Sequence, residues 1–281
     1  MEQYTTVIKP KGKLWQVDFK EIWEYRDLLS MFVKRDIITQ YKQTVLGPLW
    51  FLIQPILTTL MQFVVFGTIA DLSTDSLPKP LFYLAGNVMW LYFADCLNKT
   101  STTFNTNQAI FGKVYFPRLI VPLATVISNL VRFGIQLLLF VVFYLYYVFI
   151  GGYEIQPNIY ILLLPVLVFM IAGLALGFGI LVSSMTTKYR DLTILFTFIV
   201  QLWMYGTPVV YPMSSITNSI LKTIMWFNPL TSIFEAFKYG AMGQGEFSWI
   251  MLGYSFCFML LLLTISIIVF NSVQRSFMDT V

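Results

Sequence analysis

The stretch Leu119–Ile150 reads LIVPLATVISNLVRFGIQLLLFVVFYLYYVFI and carries one charged residue, Arg132. A helix needs about 20 apolar residues to cross the hydrocarbon core of a bilayer, so this run is long enough to span. In lipid the backbone must satisfy its own hydrogen bonds, which a helix does and an open strand does not. The short alternating segments of a transmembrane barrel are missing. Outward from this run, five further stretches read the same way. The chain is predicted to be an all-α integral membrane protein with six transmembrane helices, at about 45–70, 81–98, 119–150, 157–186, 192–212 and 247–272. The second carries Asp95, and the fifth contains Pro208 and Pro212.

Composition agrees. The chain has 281 residues, 57% hydrophobic and 11% charged, whereas soluble domains carry about 25% charged residues. A net charge of +4 is too small to suggest nucleic acid. Histidine, the commonest metal ligand and proton carrier, does not occur. Cys96 and Cys257 each sit in an apolar run and read as small hydrophobes, not as a disulfide or metal pair. The first fifty residues are the most charged part of the chain. No cleavable leader is expected there, and the first span is expected to act as the targeting signal.

Positive charge sets the orientation. Eight Lys and Arg precede the first span. Lys99, Lys113 and Arg118 lie between spans two and three, Lys188 and Arg190 between four and five, and Arg275 follows six. The opposite side holds only Lys79, Lys222 and Lys238. Both termini are therefore expected in the cytoplasm. Residues 1–42 read as a cytoplasmic segment and 43–281 as one six-span domain.

Two segments depart from a plain six-helix chain. In Asp18–Thr39, Asp18 followed by Glu21 makes a capping box. Ile22, Tyr25, Leu29, Phe32 and Val33 then recur at helical spacing with charges between them. This predicts an amphipathic helix along the cytoplasmic membrane surface. In Pro212–Glu246, the uncharged piece Thr223–Phe234 is too short to span and contains Asn228-Pro229. Such pieces are often re-entrant, entering and leaving on one side. Glu235 and Lys238 would then sit at the outer boundary, three residues apart on one helix face. A solvated loop is the alternative.

The motifs of enzymes are missing. No Walker A pattern, nucleophile elbow, zinc motif or intramembrane carboxylate pair occurs, so energy for vectorial work would come from a partner or an ion gradient. Gly173, Gly177 and Gly179 in span four read as sites of close helix packing. The loop Phe104–Arg118, FNTNQAIFGKVYFPR, ends in a helix-stopping Pro117. A short cytoplasmic helix there, with Phe111, Tyr115 and Phe116 exposed, would suit docking into a groove on another protein. On span five, Gln201, Trp203, Tyr205 and Thr207 bring polar or amphipathic groups to an uncharged helix, and Tyr211 adds a third aromatic to Trp203 and Tyr205. Aromatic faces suit sliding contact with sugar rings, and an interfacial belt is the alternative.

These residues resemble a family. Arg35-Asp36, then Tyr41-Lys42-Gln43-Thr44-Val45-Leu46-Gly47-Pro48-Leu49-Trp50 with Pro55 downstream, is similar to the approach to the first span in permease subunits of ABC polysaccharide exporters. Tyr189-Arg190-Asp191-Leu192, Gly206-Thr207-Pro208-Val209-Val210-Tyr211-Pro212, Asn228-Pro229-Leu230-Thr231 and Glu235-Ala236-Phe237 follow in the same order. One departure is Gln40, where many relatives carry a basic residue. Such permeases are the membrane halves that export O-antigen, capsule or teichoic acid polymers.

The resemblance implies a homodimer in the bacterial cytoplasmic membrane, joined to two ATP-binding subunits that hold the ATP and Mg, with no cofactor on this chain. The substrate would be a lipid-linked polysaccharide, passing between protomers along spans one and five, with membrane lipids around them. It implies an ATPase-coupling helix carrying Phe104, Asn107, Phe111, Gly112, Lys113, Tyr115, Phe116 and Arg118. The interface helix would carry Asp18, Glu21, Trp23, Arg26, Lys34 and Arg35. Asn228, Pro229, Glu235 and Lys238 would belong to the re-entrant segment, and Gln201, Trp203, Tyr205 and Tyr211 would be the channel candidates. A permease of the same architecture for a drug or a lipid is the nearest rival, and an integral membrane transferase a more distant one.

Overall fold

Polar residues recur along the second expected span, and the structure explains how a bilayer tolerates them. In the computed structural model, which describes residues 19–42, 45–187, 189 and 191–277, this span is the helix α4 (Lys79–Ser101), surrounded by other helices and buried along most of its length. Around it stand α3 (Trp50–Gln62), α7 (Ile120–Phe149), α8 (Leu164–Thr186) and α9 (Leu192–Trp203). On the far side of α8 lies α12 (Trp249–Phe277). Every element among the described residues is helical.

Four segments are long and apolar enough to cross a membrane: Gly47–Ile69, Ile120–Phe149, Ile159–Thr186 and Trp249–Gln274. The chain is a membrane protein on this ground. The other two expected spans fall short for different reasons. α4 has the length, but its polar stripe dilutes its apolar character. The expected span 192–212 is helical only from Leu192 to Trp203. Beyond Trp203, Gly206, Pro208 and Pro212 stop the helix, because proline supplies no N–H and its ring clashes with the preceding turn.

Span one is also irregular. α3 carries Pro55 and passes into a π-helix over Phe63–Ile69. The small residues of α8 do what their spacing predicts. Gly173 and Gly177 lie against Met259 and Leu262 of α12, and Gly179 against Thr100 of α4, each too close for a Cβ.

Asp18 of the expected capping box lies outside the described residues, as do Lys188 and Arg190. The segment that follows, expected as one amphipathic helix, is two helices, α1 (Phe19–Glu24) and α2 (Arg26–Tyr41), joined at Tyr25. The expected coupling helix is two single turns, α5 (Thr103–Thr106) and α6 (Gln108–Phe111), followed by irregular chain to Leu119. Between spans five and six stand α10 (Ser219–Phe227) and α11 (Thr231–Met242).

Candidate functional site

Three groups of residues hold the chemistry. The first is at the end where α1, α2, α5 and α6 meet. Phe104, Phe111 and Phe116 form a buried cluster with Ile120, Val121, Ile180 and Phe270. The rings of Phe104 and Phe270 stack at 4.7 Å, and Phe116 lies 5.7 Å from Phe32 of α2. Arg118 sits over Phe111 at 5.4 Å and donates to the Gln274 carbonyl of α12 at 3.1 Å. Burial in this apolar corner favours the uncharged form and lowers the Arg118 pKa from its usual value.

The expectation that Phe111 and Phe116 stand exposed is thereby corrected. Their apolar rings have partners within the chain, on α2 and α12, and are drawn in by the hydrophobic effect. Gly112, Lys113 and Tyr115 remain exposed, Tyr115 at 78%. Its hydroxyl pairs with the Glu21 carboxylate of α1 at 3.1 Å. Asn107 is half-buried and donates to the Thr103 carbonyl. Around this edge stand exposed Trp23, with Arg26 over its ring at 5.8 Å, and exposed Lys34. Arg35 covers Phe32 and pairs with Asp36 at 2.7 Å.

The second group joins two motifs that lie far apart in the sequence. Beyond Trp203 the chain turns through 204–212 with no helix to take its carbonyls. Asn228 donates to Gly206 O at 2.8 Å and to Thr207 Oγ1 at 2.9 Å. Lys238 Nζ donates to Pro208 O at 2.5 Å. In a continuing helix that carbonyl would receive the N–H of residue 212, which is a proline. The ammonium of α11 takes the place of the missing donor. Lys238 also pairs with Glu235 at 3.4 Å and lies 4.2 Å from the ring centre of Phe82. Glu235 accepts from the Glu246 N–H at 3.0 Å.

Lys238 and Glu235 were expected at an outer boundary, but their side chains are only 2% and 1% exposed. A charge costs too much in an apolar interior unless it is paired and hydrogen-bonded, and both conditions hold here. Pro229 is buried beside them, after an Asn228 whose Oδ1 accepts from Leu230 N–H at 3.1 Å.

The third group is the face of α9 and the turn that follows it. Gln201 and Tyr205 are exposed, together with Ile194, Leu195, Phe198 and Leu202. Tyr205 meets Phe66 of span one at 6.4 Å. Trp203 turns the other way. Its ring meets Phe93 of α4 edge-on at 5.5 Å and Phe178 of α8 at 5.0 Å. Its ring neighbours lie inside its own bundle, and it is half-buried. Tyr211 is half-buried, and its hydroxyl donates to the Tyr205 carbonyl at 2.6 Å.

Sequence reasoning passed over a polar node within the bundle. Arg132 of α7 bonds Asp95 of α4 at 2.5 Å and also donates to the side-chain oxygen of Gln54 on α3. One turn from Asp95, Lys99 donates to Asn129 at 2.8 Å. The four-residue spacing of Asp95 and Lys99 was the available signal.

A family model described as ABC-2 type transporter matches residues 27–242. The chain is 26% identical over 221 residues to the O-antigen export system permease protein RfbA of Myxococcus xanthus, covering 78% of this chain and 82% of that one. A protein of the same name from Klebsiella pneumoniae is 25% identical over 255 residues, covering 90% and 94%. The polysialic acid transport protein KpsM of Escherichia coli is 22% identical over 250 residues, covering 88% and 93%.

Proposed function

We propose that this chain, which belongs to the ABC-2 type transporter family, is the membrane subunit of an ATP-driven exporter of a lipid-linked polysaccharide. The reading rests most on one observation: similarity to an O-antigen export permease extends over 90% of this chain and 94% of the relative. The motifs quoted above lie within that common architecture.

In this reading the protein works as a homodimer with two ATP-binding subunits, which hold ATP and Mg. α4 and the segment from α9 through residue 212 complete a set of six spans, and α10 with α11 forms the re-entrant segment. The chain lies in the bacterial cytoplasmic membrane, and the fourteen-to-three bias of Lys and Arg supports cytoplasmic termini. The ATPase docks on the exposed edge formed by Trp23, Lys113 and Tyr115. A polymer rich in hydroxyls needs a protein-walled path, because lipid offers it no partners. The uncovered faces of spans one and five, carrying Gln201 and Tyr205, supply that wall when two chains meet about a two-fold axis.

Deleting the gene should strip the cell surface of one polysaccharide and leave its lipid-linked precursor inside. Restoring the chain together with its ATPase should reverse both effects. An unchanged surface polymer, with altered drug or phospholipid export instead, would move the chain to the rival permease class.

A further inference from the structure

Polar residues follow one another down α4 at every fourth position but one: Lys79, Tyr83, Asn87, Asp95 and Lys99, with Leu91 completing the series. Residues four apart share a helix face. From Lys79 to Lys99 the rise is roughly 30 Å at ~1.5 Å per residue, the thickness of the hydrocarbon core. The facing helices answer in kind. α3 and its continuation bring Gln54, Thr59 and Gln62, and α7 brings Asn129, Arg132 and Gln136. Asn87 donates to Thr59 at 3.0 Å and to Gln62 at 2.8 Å.

At one end of the series Lys79 bonds the Gly67 carbonyl at 2.6 Å and the exposed Asp71 at 2.7 Å. At the other, Lys99 donates to Asn129 of α7 at 2.8 Å.

Among the described residues, four buried side-chain polar atoms have no hydrogen-bond partner: Tyr83 Oη, Asn87 Oδ1, Arg132 Nε and Gln136 Nε2. All four belong to this series and its facing helix. They include donors (Arg132 Nε, Gln136 Nε2), an acceptor (Asn87 Oδ1) and a hydroxyl that is either. Gln136 lies one turn from Arg132 on α7, and Asn87 two turns from Asp95 on α4. The unpartnered groups thus occupy successive depths on packed helices. Buried polar groups that lack protein partners are commonly met by ordered water with about two to four bonds each.

We propose that the seam between spans one, two and three binds a file of ordered water molecules, separate from the polymer path on the uncovered faces of spans one and five. The bound molecules bridge Asn87, Gln136 and Arg132 and hydrate the Arg132–Asp95 pair. The file holds water without conducting cations, because the Arg132 guanidinium stands in it as a fixed positive charge, and such a charge repels protons and cations in a pore.

Hydroxyl radicals generated from bound water by a microsecond X-ray pulse test this on the full-length protein in lipid nanodiscs. Tyr83 and Met89 are both wholly enclosed in α4, and only Tyr83 lies on the seam. Tyr83 should be oxidised several-fold faster than Met89, although methionine is the more reactive side chain. The double variant Asn87→Leu, Gln136→Leu should lower Tyr83 oxidation several-fold. Equal labelling of Tyr83 and Met89, or none at Tyr83, overturns the proposal from the unmodified protein alone. Unchanged Tyr83 labelling in a folded double variant also overturns it.

Discussion

At the scale of single residues, Lys238 shows how much structure one charge can hold. It takes the carbonyl that Pro212 leaves without a donor, and it neutralises Glu235. Removing one partner of a buried ion pair leaves the other uncompensated, at a cost of about 3–5 kcal/mol. Lys238→Met should therefore lower the melting temperature of the detergent-solubilised chain sharply. Adding Glu235→Gln should recover part of that loss. A single variant as stable as the parent would mean that the pair is not closed in the folded protein. The sequence showed that these two residues share a helix face. It did not show their depth, because burial depends on what α4 and residues 204–212 place around them.

At the scale of elements, the expected coupling segment divides into two kinds of residue. Phe104, Phe111 and Phe116 hold it to α2, α8 and α12, while Gly112, Lys113 and Tyr115 are left at the surface. Replacing a buried phenylalanine with alanine costs about 3–5 kcal/mol in a packed core, so Phe111→Ala should destabilise the chain itself. Tyr115→Ala should leave its melting temperature unchanged and weaken co-purification of the ATPase. Thermal melts and pull-downs on both variants separate the roles, and a reversed pattern would reverse the assignment.

Four spans and the helical character of the segment before them were legible because length and helical periodicity are local properties. The break after Trp203 was foreshadowed by Pro208 and Pro212 but not located. The inward turn of Trp203 was hidden, since its partners Phe93 and Phe178 come from other helices.

At the scale of the whole molecule, the bundle is closed around α4, and apolar side chains stand exposed on the outer faces of α3, α7, α9 and α12. Leu57, Leu60, Met61 and Val64 of span one are exposed, as are Ile194, Phe198 and Leu202 of span five. A photocrosslinker in place of Tyr205 should capture the second protomer or the emerging polymer in the assembled exporter. Adducts with phospholipid alone would show that this face looks into the bilayer and that the path lies elsewhere. The side chains on this face were legible as types, but which of them point outward was not. Alternate residues of a helix diverge, and only the packing of Trp203 fixes the rotation.

The π-helix at Phe63–Ile69 carries an evolutionary implication. Bonding from residue i to i+5 accommodates one more residue per turn than an α-helix does. Such a turn is where an insertion can be absorbed without breaking the span. Winding the same residues as ordinary α-helix would rotate everything beyond them by roughly 100°. Gly67, which now receives the edge of the Tyr83 ring and the stem of Lys79, would face elsewhere. The register of the outer loop is thus tied to a single codon's worth of chain. A relative that lacked that codon could keep the packing between spans one and two with an ordinary α-helix.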